Sequence, residues 1–382
     1  MNTHTLTPAF ARTVALGQQN IPSREKYEAA MRDIFERRYY TNQGPLAREF
    51  EARLQRFLDV RHAVCVTNAT IGLMMAFDAL AARGSALVPA AGNPALLHAL
   101  AWCGVDAVAC DAEAANGQLS IERAARLIAD GKPAVLVGAN LWGGACDAAA
   151  LRSLGDQYRI PVLFDSLQAF GSTVSGVRAG AAGCIEVFSF GLDDVLYAGG
   201  GACVVTDDDA LAARLRNIRS SYGAGAPVSV EKTSNGRMSE AQAALGLIGL
   251  DDFATHQAHN RKLFDAYRDG LASIAGVRVI EPSHAVRSNH QNLVCEIDVD
   301  SCGVTRDQLI QILSANHVEA RAVAAGEVRG AHAQSLPAAA RIGASWLLLP
   351  IGAQVSVADI AAIVELIASA VAGQVSRQGA HA

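Results

Sequence analysis

Asp165 closes the short apolar run Pro161 to Phe164. A carboxylate at the end of such a strand lies on the carboxyl edge of a sheet, where open α/β folds hold their ligands. The same spelling also fits a strand-end Asp that caps a turn. Thr67-Asn68-Ala69-Thr70 stands between an apolar run and a helical pattern. Backbone N–H groups at the start of a helix, joined by the Thr70 hydroxyl, could take a phosphate, and a Thr that merely caps a helix would read alike. Asn235, in Thr233-Ser234-Asn235-Gly236-Arg237-Met238-Ser239-Glu240, reads as an Asn-Gly turn before a Ser-capped helix. Amines are scarce: the chain has four lysines, Lys26, Lys132, Lys232 and Lys262, and of these Lys232 is the one near such a segment.

The elements that must position these residues follow from hydrophobic patterning. Runs at Ala63 to Thr67, Ala86 to Pro89, Ala107 to Cys110, Ala134 to Val137 and Pro161 to Phe164 alternate with helical stretches. They predict a mostly parallel sheet covered on both faces, the α/β architecture. Leu46, Phe50, Leu54 and Phe57 give an amphipathic helix after the turn Asn42-Gln43-Gly44-Pro45. Ser239 to Leu271 reads as helical with an interruption near Asp251-Asp252, joining a second region that begins near Val277. There, Asn292 to Val299, Val318 to Val323 and Trp346 to Pro350 read as strands, and Thr305 to Ala315 and Val357 to Ala372 as helices.

A chain of 382 residues with 51% hydrophobic content fills two cores. A net charge of -5 with dispersed basic residues predicts no nucleic-acid partner and no membrane surface. Eight cysteines sit singly in apolar runs without a C-x-x-C pair, which predicts buried, reduced thiols rather than a metal site. Met1 to Asn20 lacks a basic head and apolar core, so a cytoplasmic protein is expected.

The segment Phe164-Asp165-Ser166-Leu167-Gln168-Ala169-Phe170-Gly171, followed by Val187-Phe188-Ser189-Phe190 and Gly199-Gly200-Gly201-Ala202, resembles the core of the DegT/DnrJ/EryC1/StrS aminotransferases. These are pyridoxal-phosphate (PLP) enzymes that mostly transfer an amino group to keto sugars on nucleotide carriers. The likeness runs from Asn42-Gln43-Gly44-Pro45-Leu46 through Leu141-Trp142-Gly143 to Leu336-Pro337 and Leu347 to Gly352. It implies the PLP-dependent fold type I, with a large domain over residues 1–250 and a smaller α+β domain over 251–382. It further implies that Asp165 pairs with the pyridine nitrogen, that Gln168 packs beside the cofactor, and that Ala69, Thr70 and Ser189 meet its phosphate. Asn235 would reach the phosphate of a neighbouring subunit, which requires at least a dimer.

Departures from the family pattern are equally specific. The family's catalytic lysine stands four residues after the second Phe of the Phe-Ser-Phe run, and that position is Asp194 here. An Asp cannot form an imine, although it can carry a proton, and Asp193-Asp194 reads by itself as a solvated turn. In Pro89-Ala90-Ala91-Gly92-Asn93-Pro94, Asn93 replaces the aromatic that stacks on the ring. Ala322 to Gln334 is short and alanine-rich where the family meets its sugar nucleotide. Three functions follow: an enzyme using PLP or pyridoxamine phosphate (PMP) without the lysine, as in the family's PMP-dependent sugar dehydratases; a non-catalytic scaffold or regulatory subunit paired with an active paralogue; or transamination with a lysine from another loop, such as Lys232 of a neighbour. A keto sugar nucleotide is the implied substrate, and a homodimer or a heterodimer with a paralogue the implied assembly.

Overall fold

The computed structural model describes residues 8–180, 184–220, 227–283, 286–325 and 336–379, with side chains described as far as residue 373. The apolar runs of the first part form strands β1 (His62–Val66), β2 (Gly84–Pro89), β3 (Val105–Cys110), β4 (Val135–Ala139) and β5 (Val162–Asp165). A short ribbon, β6 (Thr173–Val174) and β7 (Val177–Arg178), precedes β8 (Ile185–Phe190) and β9 (Gly201–Thr206). The main sheet has the order β1-β9-β8-β5-β4-β2-β3. Strands β8, β5, β4, β2 and β3 pair in parallel, and β9 runs antiparallel to both its neighbours. All five residues of β4 and all four of β5 are buried, as expected for strands with helices on both faces.

Those helices are α1 (Arg24–Arg37), α2 (Pro45–Leu58), α3 (Ala69–Ala79), α4 (Pro94–Cys103), α5 (Ile121–Asp130), α6 (Ala148–Tyr158) and α7 (Asp209–Arg219), with α8 (Glu240–Leu271) leading away from the sheet. Leu46, Phe50, Leu54 and Leu58 give α2 one buried stripe at a spacing of four, packed on Phe188, Phe190 and Cys203. The free N–H groups at the head of α2 are met by a carboxylate from α8. Glu240 accepts from the N–H groups of Gly44 (2.8 Å), Leu46 (2.9 Å) and Ala47 (3.1 Å).

Contrary to the sequence expectation, α8 is not interrupted at Asp251-Asp252. Both acids lie on surface positions of a continuous helix, where Asp251 meets Arg53 at 2.5 Å and Asp252 meets Lys26 at 2.6 Å. Adjacent charges thus mark a helix face here, not a break. Residue 250 falls within α8, whose second half packs Leu263, Phe264, Tyr267 and Leu271 into the C-terminal core.

The C-terminal part contributes strands β10 (Val277–Val279), β11 (Val286–Arg287), β12 (Leu293–Ile297), β13 (Arg321–Ala322) and β14 (Trp346–Leu349), with helices α9 (Val299–Cys302), α10 (Arg306–Ala315), α11 (Pro337–Ser345) and α12 (Val357–Gly379). β10, β12, β14 and β13 make an antiparallel sheet, while β11 joins the β6-β7 ribbon. The strand expected over Val318 to Val323 is only two residues long, and the last helix continues past Ala372. Cys184 is exposed and Cys103 half-buried, so the expectation of uniformly buried thiols fails at both, although all eight cysteines are free. No helix among the described residues is long and apolar enough to cross a membrane.

The N-terminal segment threads between these units. The Val14 N–H donates to the His317 carbonyl (2.8 Å) and the Glu319 N–H to the Val14 carbonyl (3.0 Å). Farther on, the Gln18 side chain donates to the Gln291 carbonyl (2.6 Å) and accepts from Asn260 (2.7 Å). The Gln19 N–H then donates to the Leu192 carbonyl (2.9 Å) and Asn20 to the Val195 carbonyl (2.8 Å). Gly17 and Gly352 let this strap lie close: each has positive φ, and a Cβ on Gly352 would sit 2.7 Å from the Gln18 Cα.

Candidate functional site

At the carboxyl edge of the sheet, Asp165 and Val187 are register partners in β5 and β8. Side chains two apart on a strand share a face, so Asp165, Val187 and Ser189 point the same way. Val187 packs against α3, where a Cβ on Gly72 would come within 3.1 Å of it. The N-terminus of α3, with Ala69 and Thr70 as its first residues, therefore belongs to the same face as Asp165 and Ser189. Asn68, not a Thr, caps this helix: its side chain accepts from the Ile71 N–H at 2.9 Å. The N–H groups of the first helical turn have no acceptor inside the helix, which leaves this end able to receive an anion.

Asp165 is 2% exposed. Its Oδ1 accepts from the Leu167 N–H at 3.2 Å, and its Oδ2 has no hydrogen-bond partner. Burial pushes this carboxyl up to about 7. A buried carboxylate oxygen with no donor is costly, and it fits a ligand that brings its own N–H. Two residues on, Leu167 and Gln168 line a cavity of about 430 Å³ together with Asn93, Ser189, Asp193 and Asp194. Gln168 is oriented by the Trp142 N–H, which donates to its Oε1 at 3.0 Å. Trp142 adopts φ 55°, a left-handed backbone conformation.

Asp194 corrects the expectation of a solvated turn. Asp193 is exposed, but Asp194 is 6% exposed and lies on the cavity wall. It accepts from the Gly191 N–H (2.5 Å) and from Gln291 Nε2 (2.9 Å), and the Ser189 hydroxyl hydrogen-bonds it as well. Burial raises its carboxyl to about 6, with those three hydrogen bonds opposing the rise. The strap holds this loop in place through the Gln19 and Asn20 contacts to Leu192 and Val195.

Asn93 lines the cavity, and its Oδ1 is used to cap α4 by accepting from the Ala95 N–H at 2.9 Å. Ala69 and Thr70 do not line the cavity itself. Asn235 stands apart: it is exposed, and its carbonyl oxygen accepts from Arg237 at 2.8 and 3.0 Å. Lys232 is exposed on the same segment, and neither it nor Lys26, Lys132 or Lys262 lines the cavity. Of the alanine-rich segment Ala322 to Gln334, residues 326–334 lie outside the described residues.

The opposite wall comes from residues that sequence reasoning missed as site residues: Leu16, Gly17, Gln291, Asn292, Leu348 and Ile351. Arg321, just before the alanine-rich segment, is the sole cation among the described lining residues. The Oδ1 of Asn292 is buried without a partner, as the Oδ2 of Asp165 is. No motif announces Gln291 or Asn292, which follow an irregular stretch. Gly17, beside Gln18 and Gln19, was the one available sign of a tight passage.

Residues 22–368 match the model of the DegT/DnrJ/EryC1/StrS aminotransferase family. The chain is 25% identical over 315 residues to a dTDP-4-amino-4,6-dideoxy-D-glucose transaminase of Escherichia coli, covering 81% of this chain and 83% of that protein. It is 28% identical over 283 residues to a GDP-perosamine synthase of Caulobacter vibrioides, covering 72% and 75%. Among solved structures, DesI, determined in the presence of its TDP-sugar product, superposes with a TM-score of 0.92 at 33% identity over 98% of this chain and 97% of that one.

Proposed function

Because this chain belongs to the DegT/DnrJ/EryC1/StrS aminotransferase family, we propose that it binds a keto sugar nucleotide beside a PLP or PMP cofactor held without a covalent bond to the protein. The observation that carries this reading is Asp194. By its spacing from Phe190 it stands where the resemblance puts the family's lysine, and it is buried on the wall of the cavity. A carboxylate has no amine to condense with an aldehyde, and the four lysines of the chain line other surfaces.

The residues present fit such a cofactor at its two anchoring ends. The unpartnered Oδ2 of Asp165 is suited to accept from a protonated ring nitrogen. Ser189 and the first N–H groups of α3, at Ala69 and Thr70, are suited to a phosphate. When bound, the cofactor supplies an electron sink for the carbon attached to its nitrogen. Asp165 keeps the ring proton by pairing with it, and Gln168, fixed by the Trp142 N–H, forms one side of the ring site. Asp194, raised to about 6, holds or releases a proton within the range where general acid–base catalysis is effective. Gln291, Asn292 and Arg321 offer a donor, an acceptor and a cation to a sugar phosphate.

A second reading is a cofactor-poor subunit that pairs with a lysine-bearing paralogue. It draws on Asn235, which is exposed and does not line its own protomer's cavity. One experiment separates the two. The purified protein is titrated with PLP and with PMP, reduced with borohydride and weighed by mass spectrometry. Saturable binding that is lost on dialysis, with no mass added to a site lysine, is expected. A stoichiometric adduct on one lysine would refute non-covalent binding, and no binding of either compound would favour the subunit role.

A further inference from the structure

We infer that Asp194 makes this cavity selective for the amine form of the cofactor, so that the protein takes PMP in preference to PLP. The inference rests on the cofactor reading above. A carboxylate offers about four lone-pair positions, and Gly191, Gln291 and Ser189 fill three of those on Asp194. All three partners donate, and such a set favours the ionised carboxylate. Asp194 forms no ion pair among the described residues, and Arg321 is the only cation on the described cavity wall, with Asp193 a second acid there. A buried, hydrogen-bonded carboxylate without a counter-ion is a receptor for an ammonium group.

The two cofactor forms differ in what they offer to that remaining lone pair. The amine of PMP carries N–H donors and a positive charge, and a charge-assisted hydrogen bond is about twice as strong as a neutral one. The aldehyde of PLP carries only an acceptor oxygen, which opposes the carboxylate. In a lysine-bearing relative that aldehyde would be consumed by the lysine; here nothing on the described wall can react with it. The site therefore reads charge where the family pattern places a nucleophile.

The test uses the full chain, stripped of any carried cofactor, and equilibrium binding of three ligands: PMP, PLP, and 4′-deoxypyridoxine phosphate, which keeps the ring and phosphate but has a methyl group for the amine. Expected is roughly tenfold or tighter binding of PMP than of the other two. In Asp194→Asn, which keeps the shape and removes the charge, that preference shrinks to about twofold or less while the deoxy compound binds as before. Equal or tighter binding of PLP or the deoxy compound by the wild type would overturn the inference and leave the cofactor reading standing. Persistence of the PMP preference in Asp194→Asn would also overturn it. Failure of all three ligands to bind would defeat the cofactor reading itself. The wild-type ratio can overturn the inference even if the variant folds poorly.

Discussion

Replacing Asp165 by Asn tests whether the sheet edge holds a charge that lacks its partner. In the folded protein burial lifts the Asp165 carboxyl from 3.8 to about 7, with one opposing hydrogen bond from Leu167. The folded value lies above the unfolded one, so the stability that Asp165 contributes is complete below about pH 4 and is lost as the pH climbs towards 7. At about 1.4 kcal/mol per pH unit, the full loss is bounded at about 4 kcal/mol, of which roughly 2 to 3 kcal/mol falls between pH 5 and pH 8. Asn keeps the shape without the charge. It introduces an amide NH₂ with no acceptor, a cost of about 1–3 kcal/mol that does not depend on pH. The informative quantity is therefore the change, between the two pH values, in the stability difference of variant and wild type. Urea unfolding of cofactor-free protein at both pH values should show the variant gaining about 2 to 3 kcal/mol on the wild type at the higher pH. Glu186, also raised to about 7 by burial, is present in both proteins and cancels. A stability difference that stays constant with pH would mean that Asp165 is not held as an unpartnered carboxylate, and the reasoning that assigns it a ring nitrogen would fall with it.

Glu240→Ala removes the carboxylate that three backbone N–H groups at the head of α2 share, and should cost roughly 2–3 kcal/mol in urea unfolding. Gly352→Ala puts a Cβ 2.7 Å from the Gln18 Cα and the Gly17 carbonyl oxygen; it should speed amide exchange in residues 14–20 and lower stability by about 2 kcal/mol or more. Unchanged exchange there would show that the strap tolerates the clash. Lys232→Ala should leave the absorbance of PLP-titrated protein as it is, because Lys232 is exposed and off the cavity wall. Loss of a band would identify it as a lysine delivered from a neighbouring subunit.

The strands and Asp165 were legible because their cause is local: a buried parallel strand needs an unbroken apolar run, and the residue ending it must sit at the edge. Ser189 and Gln168 were legible through the family pattern and are found beside the same cavity. Asp194 was misread because two adjacent acids are polar by composition, while its burial is decided far away, by Gln291 and by a strap from the other end of the chain. Asp251 and Asp252 were misread for the same reason, since Arg53 and Lys26, which make them helix-compatible, lie about 200 residues earlier. Asn292 opens a predicted strand, but neither it nor Leu16 carries a sign of a place on the cavity wall. Their place on the wall depends on how the C-terminal sheet meets the strap, and neither spacing nor propensity encodes that.

The strap also sets an order of assembly. Leu16 and Gly17 leave the ribosome long before Leu348, Leu349 and Ile351, yet all of them line the same cavity. The strands of the main sheet, complete by Thr206, can pair while the rest is still being made. During that interval the pocket has one wall and admits water freely. A chain that stops early would carry the sheet and Asp165 but no closed site, so ligand binding reports on completed synthesis more strictly than secondary structure does.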